Sequence, residues 1–362
     1  MRRVRMRAAV LRQIGDHQVE VVDNAELVET GPDMVRVAIL ATGICHSDLS
    51  AMSGTFGIPT PCILGHEGVG EIVRVGSGVT DLAVGDHVIA AGVTQCGTCG
   101  FCLAGHGHLC VKTSFAEPYF RIGGQSVFAL AGIGSFSEQV LLTRQAAVKL
   151  PRDIPWDVAS LVGCGVTSGV GAAINAGKVT PGSSVIVFGC GGVGTSVIQG
   201  ARLAGAAEIV AVDVVAEKRE NAKRFGATCA VDPADVARVK AEITGDADGF
   251  DYGFEAVGSS STIRATYDAV RRGGTAVIVG VGRVDQTVEF NAYEFAYGDK
   301  TLRGSWFGSG DPRVEFPRVL RAWRAGRLDL EGMITARYRL EDINTAFDDI
   351  ETGKVIRAVL TM

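Results

Sequence analysis

The hydrophobic rhythm of the chain changes once, near residue 165. Before that point apolar and polar positions alternate in short runs bounded by glycine. "MVRVAILATGIC" (34–45) and "GVGEIVRVG" (68–76) are such runs, and "GSGVTDLAVGDHVIA" (76–90) reads as two turns leading into a strand. Alternation of period two with glycine punctuation predicts half-buried strands joined by tight turns. The one helical signal in this half is a short helix starting at Cys45.

Beyond residue 165 the pattern becomes apolar strand, helix, apolar strand. "SSVIVFG" (183–189), "EIVAVD" (208–213), "CAVD" (229–232), "FDYGFEAVG" (250–258), "TAVIVGV" (275–281) and "TLRGSWF" (301–307) are the strand candidates. Between the first two lies "GVGTSVIQGARLAGA" (192–206), whose Val193, Val197, Ala201 and Ala204 share one helical side. "AEKRENAKRFGA" (216–227) predicts a polar-faced helix with Gly226 as its C-cap. Strands alternating with helices imply parallel βαβ units and a doubly wound sheet. The tail, "PRVLRAWRAGRLDL" (317–330) then "LEDINTAFDDIETGKVIRAVLTM" (340–362), adds two helices and a strand beyond the sixth strand of that sheet. It is expected to return to the first domain and make that domain discontinuous.

Composition narrows the class. At 362 residues two domains are expected, and 47% hydrophobic with 21% charged residues is globular. A net charge of −5 without a dense Lys/Arg block argues against a nucleic-acid partner. The basic start "MRRVRMRAAVLRQIG" lacks a long apolar core and a small-residue cleavage site, so a cytoplasmic protein is expected. Two charge-free windows, Val158–Gly177 and Ser183–Ala201, reach membrane-spanning length, but glycines and polar residues interrupt both. A buried core with tight turns is expected there, and no membrane partner. Nine cysteines, an odd number, favour metal binding over a disulfide framework.

A dinucleotide site follows from "VIVFGCGGVGTSV" (185–197). Gly189, Gly191 and Gly194 form G-x-G-x-x-G directly after a strand and before a helix, with Gly192 and Val193 between them. Gly189 permits the turn, Gly191 lets backbone approach a pyrophosphate, and Gly194 lets helix and strand pack closely. The helix N-terminus offers unpaired N–H groups to the phosphates. Asp213 ends the next strand 24 residues after Gly189, where a carboxylate accepts ribose hydroxyls and repels a 2′-phosphate. NAD is therefore expected over NADP, with nearby Arg219 as the one contrary feature.

"QCGTCGFCLAGHGHLC" (95–110) places Cys96, Cys99, Cys102 and Cys110 at spacing C-x2-C-x2-C-x7-C. A ferredoxin triplet would have its fourth cysteine sooner and followed by proline, whereas Val111 follows here. A redox pair does not need four members. Four thiolates close a zinc shell, so this site is expected to staple a loop and bind no substrate. His106 and His108 read as loop residues. A second set is scattered: Cys45 in "GICHSDLS", His66 and Glu67 in "LGHEGVGE", and Cys164 in "LVGCGVTSG". Cys2His with one solvent position is a catalytic zinc arrangement. A lone cysteine is more often a small buried hydrophobe, and this spacing alone does not decide between the two. Cys62, Cys190 and Cys229 read as structural.

Taken together, "GICHSD", "GHEGVGE", the four-cysteine lobe, "GCGVTSG", "GCGGVG…VAVD" and the end "GKVIRAVLTM" occur in the order found in zinc-dependent medium-chain alcohol dehydrogenases. The chain resembles that family over nearly its whole length. The resemblance implies an α/β protein: a GroES-like, mostly-β catalytic domain at 1–165 and 304–362, with a structural-zinc lobe at 95–111, plus a doubly wound Rossmann coenzyme domain at 166–303. It implies two zinc ions per subunit, the catalytic one on Cys45, His66 and Cys164. Asp48 would fix the His66 tautomer, Glu67 would stand behind the metal, and Ser47 would contact the alcohol oxygen and start a proton relay. His46 and Arg357 would hold the cofactor pyrophosphate. Ser168, Val193 and Val281 would lie against the nicotinamide, and Lys218 near the adenosine ribose. Many relatives end the relay on a histidine where this chain has Ser50.

The implied reaction is hydride transfer between a primary alcohol, aromatic or medium-chain ones included, and NAD, with the aldehyde as product. Phe56, Val93 and Phe136 would line the substrate pocket together with Val281. An alternative on the same scaffold is oxidation of an S-(hydroxymethyl)thiol formed from glutathione or mycothiol. A non-enzyme alternative is a zinc-stabilised nucleotide-binding scaffold, against which the intact Cys45, His66 and Cys164 set argues. A homodimer is expected from the length of the loop between Val111 and Ser135, with a tetramer as the alternative.

Overall fold

The computed structural model describes residues 5–362; the basic opening stretch falls partly outside them. Ten strands precede residue 151: β1 (Arg5–Leu11), β2 (Glu20–Leu27), β3 (Met34–Ile44), β4 (Cys62–Ile63), β5 (Glu67–Val75), β6 (His87–Ala90), β7 (Ala116–Ile122), β8 (Gln125–Leu130), β9 (Gln139–Thr143) and β10 (Ala147–Leu150). Alternation in the sequence becomes alternation in burial. In β3, Val35, Val37 and Ile39 are buried while Met34, Arg36 and Ala38 are partly exposed, the pattern of a strand with one covered face. β1, β2, β7, β8 and β4 close into a small barrel. Its interior and the adjoining sheet share a core that includes Leu11, Ile63, Ile72, Phe120 and Phe136. Three helical pieces interrupt the strands: α1 (His46–Met52), α2 (Gly100–Leu103) and α3 (Trp156–Val162).

The segment between Val111 and Ser135 differs from expectation. It is not a loop: it carries β7 and β8, an antiparallel hairpin with Ile122 opposite Gln125. The glycines Gly123 and Gly124 make its turn, and alternating Val127 and Ala129 bury against the barrel core. Its length therefore includes two strands of the barrel.

The second half is the doubly wound pattern. α4 (Gly165–Gly171) leads to β11 (Ser184–Phe188), α5 (Gly192–Ala204), β12 (Glu208–Val212), α6 (Ala216–Arg224), β13 (Cys229–Val231), α7 (Val236–Thr244), β14 (Phe250–Glu255), α8 (Ser260–Ala269), β15 (Val270–Ile278), α9 (Ala292–Gly298) and β16 (Thr301–Gly304). All six strands are parallel, in the order β13-β12-β11-β14-β15-β16. Strand order reverses between β11 and β14, which makes that junction the switch point of the sheet. The chain continues through α10 (Pro312–Arg324), β17 (Ile334–Arg339), α11 (Ile343–Glu351) and β18 (Arg357–Thr361). β18 pairs with both β17 and β3, completing a sheet ordered β10-β6-β5-β3-β18-β17, with β9 also on β3.

Two compact units result. Of the described residues, one comprises 5–164, 311–321 and 330–362; the other comprises 165–310 and 322–329. Residues 304–310 and 322–329 thus group with the sheet of parallel strands, although the sequence reading gave them to the first domain. The reason is local bonding. Ser305 N donates to Ile278 O of β15, Asn175 Nδ2 donates to Gly308 O, and Gln199 of α5 exchanges hydrogen bonds with the backbone of Asp329. No single helix among the described residues is long and apolar enough to cross a membrane. The charge-free window 158–177 is broken into α3, α4 and a following π-helical turn, all largely buried, and 183–201 is β11, the glycine turn and most of α5.

Candidate functional site

The four-cysteine lobe forms as its spacing suggests. The Sγ atoms of Cys96, Cys99, Cys102 and Cys110 all lie within 4.8 Å of one another. Cys96 to Cys102 and Cys99 to Cys110 are each 3.9 Å apart, and no cysteine of the chain is in a disulfide. Sulfurs about 2.3 Å from a common tetrahedral zinc stand roughly 3.8 Å apart, so the set fits such an ion. Donors already turn toward the sulfurs: Thr98 N and Oγ1 and Cys99 N reach Cys96 Sγ at 3.4, 3.4 and 3.2 Å. Hydrogen bonds from the Thr98 hydroxyl and backbone bring the Cys96 thiol down to about 5. His106 and His108 stand edge to face against each other and are not part of the set. The lobe is held at its base by Gln95, whose Oε1 accepts from Arg313 Nη2 of α10 at 3.1 Å.

The second cluster assembles from three distant places in the same unit. Cys45 is the N-cap of α1, immediately after β3; His66 and Glu67 lie at the start of β5; Cys164 follows α3. Ligand atoms of Cys45, His66, Glu67 and Cys164 lie within 4.8 Å of one another, and all four residues are buried. Adjacent pairing of β3 with β5, which sets Gly43 opposite Glu67, brings the first three together.

Asp48 is the organiser of this cluster. It is fully buried; Oδ2 accepts from Cys45 N at 3.1 Å, while Oδ1 accepts from Gly65 N at 3.0 Å and faces His66 Nδ1 at 3.2 Å. With Nδ1 directed at the carboxylate, His66 has Nε2 left for the cluster. Burial opposes a charge on His66, but Asp48 outweighs it and holds the imidazole well above its ordinary value. The hydrogen bond from Cys164, with His66 beside it, holds the Cys45 thiol far down, and that same bond pushes Cys164 up. The cluster therefore concentrates two cysteine sulfurs and a histidine ring in a buried volume, a donor set that suits zinc.

Glu67 differs from the other three donors because it has a cationic partner. Arg357 Nη2 of β18 bonds Glu67 Oε2, and the two side chains are 3% and 0% exposed. Gly43 leaves the room for them, since a Cβ there would run into both side chains. The resemblance assigns Arg357 to a pyrophosphate; the structure pairs its guanidinium with Glu67. Nothing in the sequence signals a pair 290 positions apart.

The remaining expected residues divide cleanly. Ser47 Oγ lies 3.6 Å from Cys45 Sγ, within this cluster's reach, and His46 is exposed on the first turn of α1. Phe136 and Val93 do not line an open pocket. Phe136 is 0% exposed and packs edge to face on Phe347, and Val93 is 2% exposed. Phe56 is half-buried against the same core. Phe136 and Val93 both lie in bends between strands, and their side chains are buried. Cys62 and Cys190 are pushed up to about 12 by burial, which fits inert packing.

In the other unit, the glycine motif adopts the expected geometry. Gly189 has φ +92°, the left-handed region that glycine alone tolerates readily. A Cβ on Gly194 would strike the Gly189 carbonyl, whereas one on Gly191 would meet nothing within 4 Å. That open space, at the N-terminus of α5, suits an approaching phosphate. Asp213 is turned toward the motif: Oδ2 accepts from Cys190 N at 2.8 Å and Oδ1 from Val215 N at 2.9 Å. Arg219 is engaged elsewhere, donating to Asp213 O at 2.7 Å and to Asp232 Oδ2 at 3.3 Å. Ser168 is buried in α4, Val193 and Lys218 are half-buried, and Val281 is 46% exposed.

Comparison with known proteins shows the family. Residues 31–152 match the alcohol dehydrogenase GroES-like domain, and residues 192–324 match the zinc-binding dehydrogenase family. Alcohol dehydrogenase B of Mycobacterium tuberculosis is 37% identical over 363 residues, 94% of each chain. The S-(hydroxymethyl)glutathione dehydrogenase of Synechocystis is 36% identical over 376 residues, 99% of this chain and 100% of that one. Among solved structures, benzyl alcohol dehydrogenase from Acinetobacter calcoaceticus superposes with a TM-score of 0.92 at 31% identity, covering 99% of both chains.

Proposed function

Since the chain belongs to the zinc-dependent medium-chain alcohol dehydrogenases, we propose that it interconverts primary alcohols, aromatic ones included, and their aldehydes with NAD as the hydride partner. One observation carries the site assignment: Cys45, His66 and Cys164 converge while the fourth donor, Glu67, is tied to Arg357. That leaves a Cys2His set with a position open for substrate. A bound zinc there would supply Lewis acidity to an alcohol oxygen, and the nicotinamide would accept the hydride. A second zinc on Cys96, Cys99, Cys102 and Cys110 would be structural.

The chain's own groups have separable tasks. Asp48 fixes the His66 ring by its bond at 3.2 Å and anchors the Cys45 and Gly65 backbone. Ser47 takes the proton of the substrate hydroxyl. With Ser50 in the place of a relay histidine, that proton leaves through cofactor hydroxyls or water rather than an imidazole. The Gly189–Gly194 turn receives the pyrophosphate and Asp213 the adenosine ribose. Arg219 is paired with Asp213 O and Asp232 Oδ2, and the Asp213 carboxylate repels a 2′-phosphate, which supports NAD over NADP.

A panel of alcohols and aldehydes with NAD and NADP, run with and without glutathione or mycothiol, tests this reading. The expected result is higher kcat/KM with NAD and with free alcohols such as benzyl alcohol. Strict dependence on the thiol would replace it with the S-(hydroxymethyl)thiol reaction, which the similarity to the Synechocystis enzyme makes the second reading.

We also assign the chain to a homodimer formed along β16. Among the described residues this strand ends the parallel sheet, pairs only with β15 and leaves Thr301, Arg303 and Gly304 exposed. Such an edge is a template for a second strand. Light scattering is expected to give twice the chain mass; the mass of a single chain would overturn the assignment.

A further inference from the structure

The unit built on the parallel sheet contains a buried carboxylate that none of the roles above uses. Glu255 is the last residue of β14, in register with Phe188 at the end of β11 and with Ile278 at the end of β15. It therefore stands at the carboxyl edge of the sheet, at the switch point, one strand from the glycine motif. Its side chain is 0% exposed. Oε1 collects three donors: Val257 N at 2.9 Å, Gly258 N at 2.7 Å and Thr262 Oγ1 at 2.6 Å. Oε2 has no hydrogen-bond partner among the described residues.

The turn that Glu255 holds, Ala256–Gly258, is wedged between two other segments. A Cβ added to Gly189 would stand 2.7 Å from Val257 Cγ2 and 3.2 Å from the Ala256 carbonyl carbon. One added to Gly258 would stand 2.5 Å from Val281 O, and one on Gly280 would stand 2.7 Å from Glu255 Oε2. The turn thus touches the first glycine of the phosphate-binding motif on one side and the residues after β15 on the other. A buried carboxylate oxygen without a partner is costly.

We propose that Glu255 is a positioning residue for the dinucleotide: its carboxylate sets the turn Ala256–Gly258 against Gly189 and so fixes the wall of the coenzyme crevice at the switch point. This rests on the nicotinamide-dinucleotide reading given above. Glu255 acts through backbone, touching neither substrate nor the reacting atoms. Loss of its acceptor frees the Val257 and Gly258 amides and lets the turn relax away from Gly189. An amide in its place keeps an oxygen for the same three donors.

The test is NADH binding, followed by fluorescence titration of the whole chain, with thermal midpoints measured in parallel. Glu255→Ala is expected to raise the NADH Kd by about tenfold or more, since three donors lose their acceptor. Glu255→Gln is expected to restore binding to within about threefold of the unsubstituted chain, and Thr262→Val to weaken it by about threefold. A role confined to stability would lower the midpoint of Glu255→Ala and leave its Kd alone, and that result overturns the proposal. So does Glu255→Gln binding as poorly as Glu255→Ala. If Glu255→Ala does not fold, Thr262→Val decides, and an unchanged Kd in that variant overturns the proposal. An unsubstituted chain that binds no NADH would overturn the cofactor reading itself; one that binds equally in all variants overturns only the role of Glu255.

Discussion

Replacing Cys164 by alanine is expected to remove activity while the fold persists. Even groups that only support a metal's ligands cost about 10–100-fold when lost, so deleting a ligand is expected to lower kcat/KM by more than about 100-fold. The fold has little stake in the sulfur: Cys164 is a small side chain following α3, with the helix interior supplied by Val158, Ala159, Leu161 and Val162. Zinc content should fall by one ion per chain, with the circular dichroism spectrum unchanged. Cys99→Ser should behave in the opposite order. It opens the four-sulfur shell, so the lobe loosens, stability or solubility drops first, and activity declines only as a consequence. Finding an inactive but stable Cys99→Ser protein beside an active Cys164→Ala protein would exchange the two assignments.

Arg357→Met is expected to be the most destabilising of the single substitutions considered, by about 3–5 kcal/mol, because it removes the cationic partner of a buried carboxylate, Glu67. Arg357 and Glu67 are 3% and 0% exposed, so water cannot take over the missing partner. The double variant Glu67→Gln/Arg357→Met removes both charges and should recover most of that loss. Urea midpoints of the two single variants and the double variant check this cycle. A single Arg357→Met protein within about 1 kcal/mol of the unsubstituted chain, the range of exposed pairs, would show that the pair is not what stabilises this part of the sheet.

What the sequence made legible follows from distance along the chain. The glycine turn and the cysteine lobe are local: ligands and geometry lie within one short stretch, and both form as their spacing implies. The Cys45, His66 and Cys164 set was open on residues alone, because its members are joined only by the pairing of β3 with β5 and the path of α3. Resemblance to a family supplied it. The Glu67–Arg357 pair was invisible for the same reason, its members lying on strands from opposite ends of the chain. Phe136 and Val93 lie in bends between strands, and their burial is set by packing from distant segments, as Phe136 against Phe347, which position along the chain does not reveal. The hairpin of β7 and β8 was hidden under "loop" because its alternation is short and polar at one end.

The two metal-ligand sets also differ in when they can exist. Cys96 and Cys110 are 14 positions apart, whereas Cys45 and Cys164 are 119 apart. Closing the longer span costs about 2 kcal/mol more in chain entropy, and it needs the strands of one sheet already in register. A chain emerging from the ribosome completes the lobe's four thiols once residue 110 has been made. The other set stays incomplete until residue 164 follows and β3 has found β5. Zinc added to a chain truncated after residue 110 is therefore expected to find the four-thiol set complete and the Cys45, His66 and Cys164 set lacking one donor.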